Sequence, residues 1–105
     1  MPPIHIVALA TCHNRRDKTI TSIKDLMAQV TQFDIIKSIV IVDDGSTDGT
    51  NEAVRHLFPQ VEIINGNGDL YWAGGMRHGW LKSVQFKKFD YLLVFNDDAR
   101  LYKNA

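Results

Sequence analysis

The apolar positions of this chain fall into short β-branched runs separated by stretches with a helical period. Residues 39–42 are the clearest run: Ile39, Val40, Ile41 and Val42 follow one another without a polar break, then give way to Asp43, Asp44, Gly45, Ser46, Thr47, Asp48, Gly49 and Thr50. A strand with one wet face alternates apolar and polar residues, so an unbroken run predicts a strand covered on both faces, as in a parallel α/β sheet. Residues 4–10 and 91–95 read the same way, and 61–64 form a shorter strand between them.

Helical periods fill the gaps. After the acidic turn, Ala53, Val54, Leu57 and Phe58 share one face, with Ser46, Thr47 or Asp48 as the cap and Pro59 as the stop. Asp17 is the predicted N-cap of an earlier helix. That helix buries Ile20, Ile23, Leu26, Met27 and Val30, runs to about Thr31, and leaves Lys18, Lys24 and Asp25 as a solvated face. Met76, Trp80 and Val84 stack at i, i+4 and i+8 in a third helix. Alternating strands and helices predict an α/β fold. We expect a three-layer sandwich with a mostly parallel sheet, ordered third, second, first, fourth strand, Rossmann-like, with right-handed crossovers.

Composition narrows this picture only at the margins. With 105 residues and 45% hydrophobic content, residues 1–105 suit one small domain. Twelve basic residues balance twelve acidic ones, so no net field recruits nucleic acid or an anionic membrane, and any anion must be held by local geometry. The single Cys12 excludes an internal disulfide framework and fits a reducing compartment. No apolar run approaches the ~20 residues that span a bilayer, and Met1-Pro2-Pro3 lacks a signal-peptide pattern. The expected location is cytoplasmic, with membrane-peripheral docking left open.

The candidate chemistry sits where strands end. Asp43 and Asp44 close one strand, and Asn96-Asp97-Asp98 closes another. Open α/β sheets hold ligands at the carboxyl ends of their strands. Adjacent acids there repel unless a cation intervenes, and all-oxygen ligation prefers a hard ion such as Mg²⁺ or Mn²⁺. The polar loop Thr11-Cys12-His13-Asn14-Arg15-Arg16 ends the first strand and suits a nucleotide or a plain solvated turn. His5 lacks partners at metal spacing and reads as a core-edge histidine, while Cys12 beside His13 lacks the third group a nucleophile needs. The passage 65–80 is Gly-rich. Gly74 and Gly75 beside Trp72 allow either close approach to a flat or phosphorylated ligand, or only a tight helix start with Tyr71 and Trp72 plugging the core. Arg77, in the first turn of that helix, opposes the macrodipole and either serves an anion or points to water.

These motifs, in this order and separation, resemble the family 2 glycosyltransferases of the GT-A fold. Val42-Asp43-Asp44-Gly45-Ser46-Thr47-Asp48-Gly49-Thr50 resembles the family's acidic turn after the second strand, and Asn96-Asp97-Asp98-Ala99 its Asp-X-Asp-type metal motif. The resemblance covers the amino-terminal, nucleotide-sugar-binding half of the family's domain, and the Gly-rich passage is similar to rhamnosyltransferase-like bacterial members that assemble polysaccharides. By this resemblance Thr11 and His13 contact the nucleoside, although tyrosine is more usual at the latter position. Asp44 accepts the imide N–H of uracil or thymine, Asp97 lies near ribose or diphosphate, Arg77 near the diphosphate, and Asp98 is the metal ligand. The implied reaction is metal-dependent (Mn or Mg), inverting transfer from a UDP- or dTDP-linked sugar to a hydroxyl of a saccharide or lipid-linked acceptor. The base and the acceptor site are expected outside this chain, which reads as a fragment, a truncated form or a vestigial copy; a missing half would leave the sheet edge next to the fourth strand and some apolar helix surface uncovered, and self-association is expected to cover them. The alternative is a nucleotide-sugar-binding module without catalysis. A phosphoacceptor receiver domain fits less well, because the first strand ends without paired acids and no lysine follows a late strand. A dinucleotide fold lacks its G-x-G-x-x-G, and no P-loop is present.

Overall fold

Strands β1 (Ile4–Cys12), β2 (Ile35–Asp43), β3 (Glu62–Asn65) and β4 (Tyr91–Val94) lie in the order β3-β2-β1-β4, every pairing parallel. They belong to a computed structural model that describes residues 4–29, 35–86, 88–97 and 100–101. The order is the one expected from the sequence. β1 and β2 pair along their whole length, from Ile4 opposite Ile35 to Cys12 opposite Asp43.

Parity along those two strands builds the layers. Ala8, Ala10 and Cys12 join Ile39 and Ile41 on one face, where helix α1 (Arg16–Met27) contributes Ile23 and Leu26 and helix α2 (Thr50–Leu57) contributes Val54. Val7, Leu9, Val40 and Val42 form the other face, covered by helix α3 (Tyr71–Phe86) through Met76. The unbroken apolar run at 39–42 is thus explained: each face of β2 has its own core. Fully burying an aliphatic side chain of this size contributes about 2 kcal/mol, so Leu9 and Ile41, on opposite faces, matter equally to the two layers.

Four elements depart from the pattern read in the sequence. α1 begins at Arg16 with Asp17 inside its first turn, because the cap is borrowed from another loop; Val30 and Thr31 lie outside the described residues. Leu57 is exposed on α2, whose inward row is Val54 and Phe58. On α3 only Met76 of the predicted stripe is buried, while Trp80 and Val84 are 47% and 52% exposed. Its inward row is Gly75, Gly79 and Ser83. A Cβ on Gly75 would stand 2.4 Å from Thr11, and one on Gly79 would stand 2.5 Å from Leu9 Cδ1. The helix therefore lies so close to β1 that glycine is required by packing, and large residues are displaced to the flank. The fourth strand, expected to be buried, is an edge on which Tyr91, Leu93 and Val94 are exposed.

Candidate functional site

The strand order reverses at β1, whose two neighbours are reached on opposite faces, β2 through α1 and β4 through α3, and a crevice opens above the carboxyl ends of β1 and β4. The crevice has a volume of about 550 Å³ and is lined by Thr11 and Cys12 at the end of β1, His13 just after it, Asp44 after β2, Asn96 and Asp97 after β4, and Gly68, Tyr71 and Trp72 from the Gly-rich passage. Arg15, at the start of α1, completes it. Of the residues singled out in the sequence, Thr11, His13, Asp44 and Asp97 line this one crevice. Arg77 is exposed on α3 and does not line the crevice, and Asp98 lies outside the described residues.

The acidic turn is consumed by internal bonds. Asp43 Oδ1 accepts the Ser46 N–H at 3.0 Å and Oδ2 accepts Asn51 Nδ2 at 3.1 Å. Asp44 Oδ1 accepts the N–H groups of Gly68 at 2.9 Å and Leu70 at 3.3 Å, and Oδ2 accepts that of Tyr71 at 2.9 Å. Burial pushes the Asp44 carboxyl up, but the amides of Tyr71, Gly68 and Leu70 outweigh it and hold the group below its ordinary range. This clamp fixes Tyr71 in the left-handed region at φ 57°, unusual for a residue with a side chain. Tyr71 and Trp72 are 74% and 53% exposed, so they form the rim of the crevice and do not plug the core.

Asp48 joins two helices. Its Oδ2 accepts the Arg16 N–H at 3.0 Å and its Oδ1 accepts the Thr50 N–H at 3.0 Å and the Thr50 hydroxyl, so one carboxylate caps both α1 and α2. Those bonds, led by the Thr50 hydroxyl, lower its pKa. Asn14 ties the same loops together, its Oδ1 accepting the Thr47 N–H at 2.7 Å. The Asn14 amide nitrogen then faces His13 Nε2 at 3.3 Å, and His13 Nδ1 donates to the Asp44 carbonyl at 2.6 Å. Both ring nitrogens are engaged. Cys12 is buried, and burial, reinforced by Asp43 and Asp97, pushes its thiol up to about 12, which removes it as a nucleophile.

The far wall is built differently. Asp97 is buried, its carbonyl accepts the Ser22 hydroxyl from α1 at 3.1 Å, and its Oδ1 lies 3.4 Å from Arg15 Nη1. The Thr11 hydroxyl is buried without a hydrogen-bond partner among the described residues. The same description contains no group of three His, Cys, Asp or Glu placed to hold a metal. Asp97 is nevertheless a suitable donor for a hard divalent ion, which is commonly held by one or two carboxylates together with substrate phosphates. Reading the sequence missed Arg15 and Asn14, and it offered Asp48 as a cap for α2 but not for α1. The missed bonds act across more than thirty residues, as from Asp48 to Arg16, and their only local signal was membership of polar loops.

Likeness to known proteins agrees with this geometry. The fold matches a mannosyltransferase, PcManGT from Pyrobaculum calidifontis in complex with GDP-Man and Mn²⁺, with a TM-score of 0.68 at 18% identity. It also matches TarS of S. aureus, residues 1–349, with a TM-score of 0.71 at 17% identity. Each match covers 95% of this chain and 29% of the other, so the chain spans under a third of the solved proteins it resembles. No curated protein sequence matches significantly. The model of one family, described as glycosyl transferase family 2, matches residues 8–105, which include both acidic strand ends and the Gly-rich passage. By that match, and with the parallel Rossmann-like sheet of its GT-A neighbours, the chain belongs to glycosyl transferase family 2.

Proposed function

We propose that this chain is the donor-binding part of an inverting glycosyltransferase that takes a nucleotide-diphosphate sugar and passes the sugar to an acceptor hydroxyl. The observation that carries the reading is the crevice beside β1 and β4, with a buried hydroxyl on Thr11 that has no partner among the described residues, a buried acid on Asp97 and an aromatic rim. In this reading Thr11, His13 and Asp44 border the nucleoside. Asp44 has already committed both oxygens to backbone amides, so its part is to hold the 68–71 loop against the base while offering a remaining lone pair to an imide N–H. Trp72 and Tyr71 offer flat apolar surface to the ring.

Asp97, with Asp98 by resemblance, would hold a divalent ion. When bound, such an ion offsets the negative charge that develops on the departing diphosphate. The remaining work is positioning: the double cap at Asp48 and the clamp at Asp44 keep the loops in place without reorganisation when the donor arrives. A base to take the acceptor's proton is expected in a segment outside this chain. The UDP or dTDP identity, the rhamnosyltransferase-like subtype and a role in polysaccharide assembly belong to this proposal too, on the resemblance of the Leu70 to Gly79 passage. A cytoplasmic location fits the free buried Cys12 and the lack of any described helix long and apolar enough to cross a membrane. The exposed edge at β4 supports self-association with a second copy, which light scattering would refute by finding a monomer at every concentration.

Calorimetric titration with UDP, dTDP and GDP, each with and without Mn²⁺, tests the donor reading. Metal-dependent binding of one nucleotide, lost in Asp98→Ala, is the expected result. If none of the three binds under any condition, the chain carries the family's fold without its site.

A further inference from the structure

We propose that Arg15 is the residue of this chain that binds the donor's diphosphate, a role that the resemblance alone gives to Arg77. The inference rests on the donor reading above and deepens it. An anion entering the crevice needs a cation inside it, since the chain's charges balance overall and no distant field supplies one. Among the described lining residues only Arg15 carries a lysine or arginine head group. His13 is the other candidate, but its two ring nitrogens already face the Asp44 carbonyl and the Asn14 amide. The start of α1 offers little to an anion either, because Asp48 already sits there and accepts the Arg16 amide.

Geometry marks Arg15 as the movable partner of its pair. Asp97 is fixed at both ends, with its carbonyl tied to Ser22 on α1 and its side chain 10% exposed. The Arg15 side chain is 49% exposed, and its contact with Asp97 at 3.4 Å is longer than the ~2.8 Å of a well-formed charge-assisted bond. A planar guanidinium on a flexible stem can turn a fork of N–H groups toward a phosphate and keep Asp97 beside it. Arg15 would thus stand between the acid that favours a metal and the phosphates that share it, and would hold Asp97 in place before a donor arrives. Arg77 is exposed on α3 and is not one of the lining residues.

The test compares a nucleoside diphosphate with its own nucleoside. Whichever of UDP, dTDP or GDP the parent chain binds is titrated, beside the matching nucleoside, into Arg15→Gln, Arg15→Lys and Arg77→Gln, with circular dichroism to show that each variant is folded. We expect Arg15→Gln to weaken the diphosphate by about tenfold, to leave the nucleoside unchanged, and to be partly rescued by Arg15→Lys. An unchanged diphosphate affinity in Arg15→Gln, an equal loss for the nucleoside, or a selective loss in Arg77→Gln instead overturns the assignment while the donor reading stands. Failure of the parent chain to bind any of these nucleotides overturns both.

Discussion

The chain has two acidic strand ends that look alike in sequence and behave differently in the fold. Asp43 and Asp44 close β2, a strand buried between two cores, and their carboxylates are taken up by backbone and side-chain donors of their own and the neighbouring loop. Asp97 follows β4, an edge strand, and its carboxylate meets a half-exposed arginine across an open crevice. The first acidic end is a fastener that also borders a site; the second lines the crevice beside an arginine. Paired carboxylates thus say only that cations or N–H donors are near, and the supply of backbone amides decides which.

This contrast can be broken most severely at Asp44. Asp44→Ala strands the amides of Gly68, Leu70 and Tyr71, and should cost about 3 kcal/mol in urea unfolding. The Gly-rich segment can be tested from its other side. Gly75→Ala forces a methyl group into Thr11 and should cost about 2 kcal/mol, whereas Gly68→Ala meets no atoms and carries only the strain of its φ of 95°. A smaller effect follows from pH. The folded pKa values of Asp44 and Asp48 are depressed, so the stability they contribute is present above the ordinary carboxylate pKa of about 4 and is lost as pH falls through their lower folded values. Urea midpoints should therefore drop on acidification, and Asp44→Asn should flatten that slope. The smallest change in stability belongs to Asp97→Asn, below about 1 kcal/mol because its partner is half exposed. The same variant should weaken metal-dependent nucleotide binding, and a stability loss as large as that of Asp44→Ala would erase the contrast between the two acidic ends.

Both the fold and part of the site were legible before any coordinates. The runs at 4–10, 39–42 and 91–95 announce strands, and the acids placed after them locate the crevice, because strand ends collect ligands in open α/β sheets. The reading failed on α3, where Met76, Trp80 and Val84 satisfy a helical stripe by period alone. A period identifies a face but not the distance at which that face packs, and here the approach to β1 is too close for anything beyond glycine at 75 and 79. On β4 its place in the order was read correctly but its burial was not, since Tyr91, Leu93 and Val94 are exposed in a run that matches a buried strand.

What the sequence determined by itself is the alternation of elements, the parallel character of the sheet and the placement of Thr11, His13, Asp44 and Asp97 at one end of it. Those features depend on local periodicity and on chain order, which the residues carry directly. Tertiary structure alone decided that Asp44 clamps a loop from Gly68 to Tyr71, that Asp48 caps two helices at once, and that Arg15 and not Arg77 shares the crevice with Asp97. Each of these joins residues far apart in the chain, and which donors reach which carboxylate is fixed only when the sheet and helices have packed.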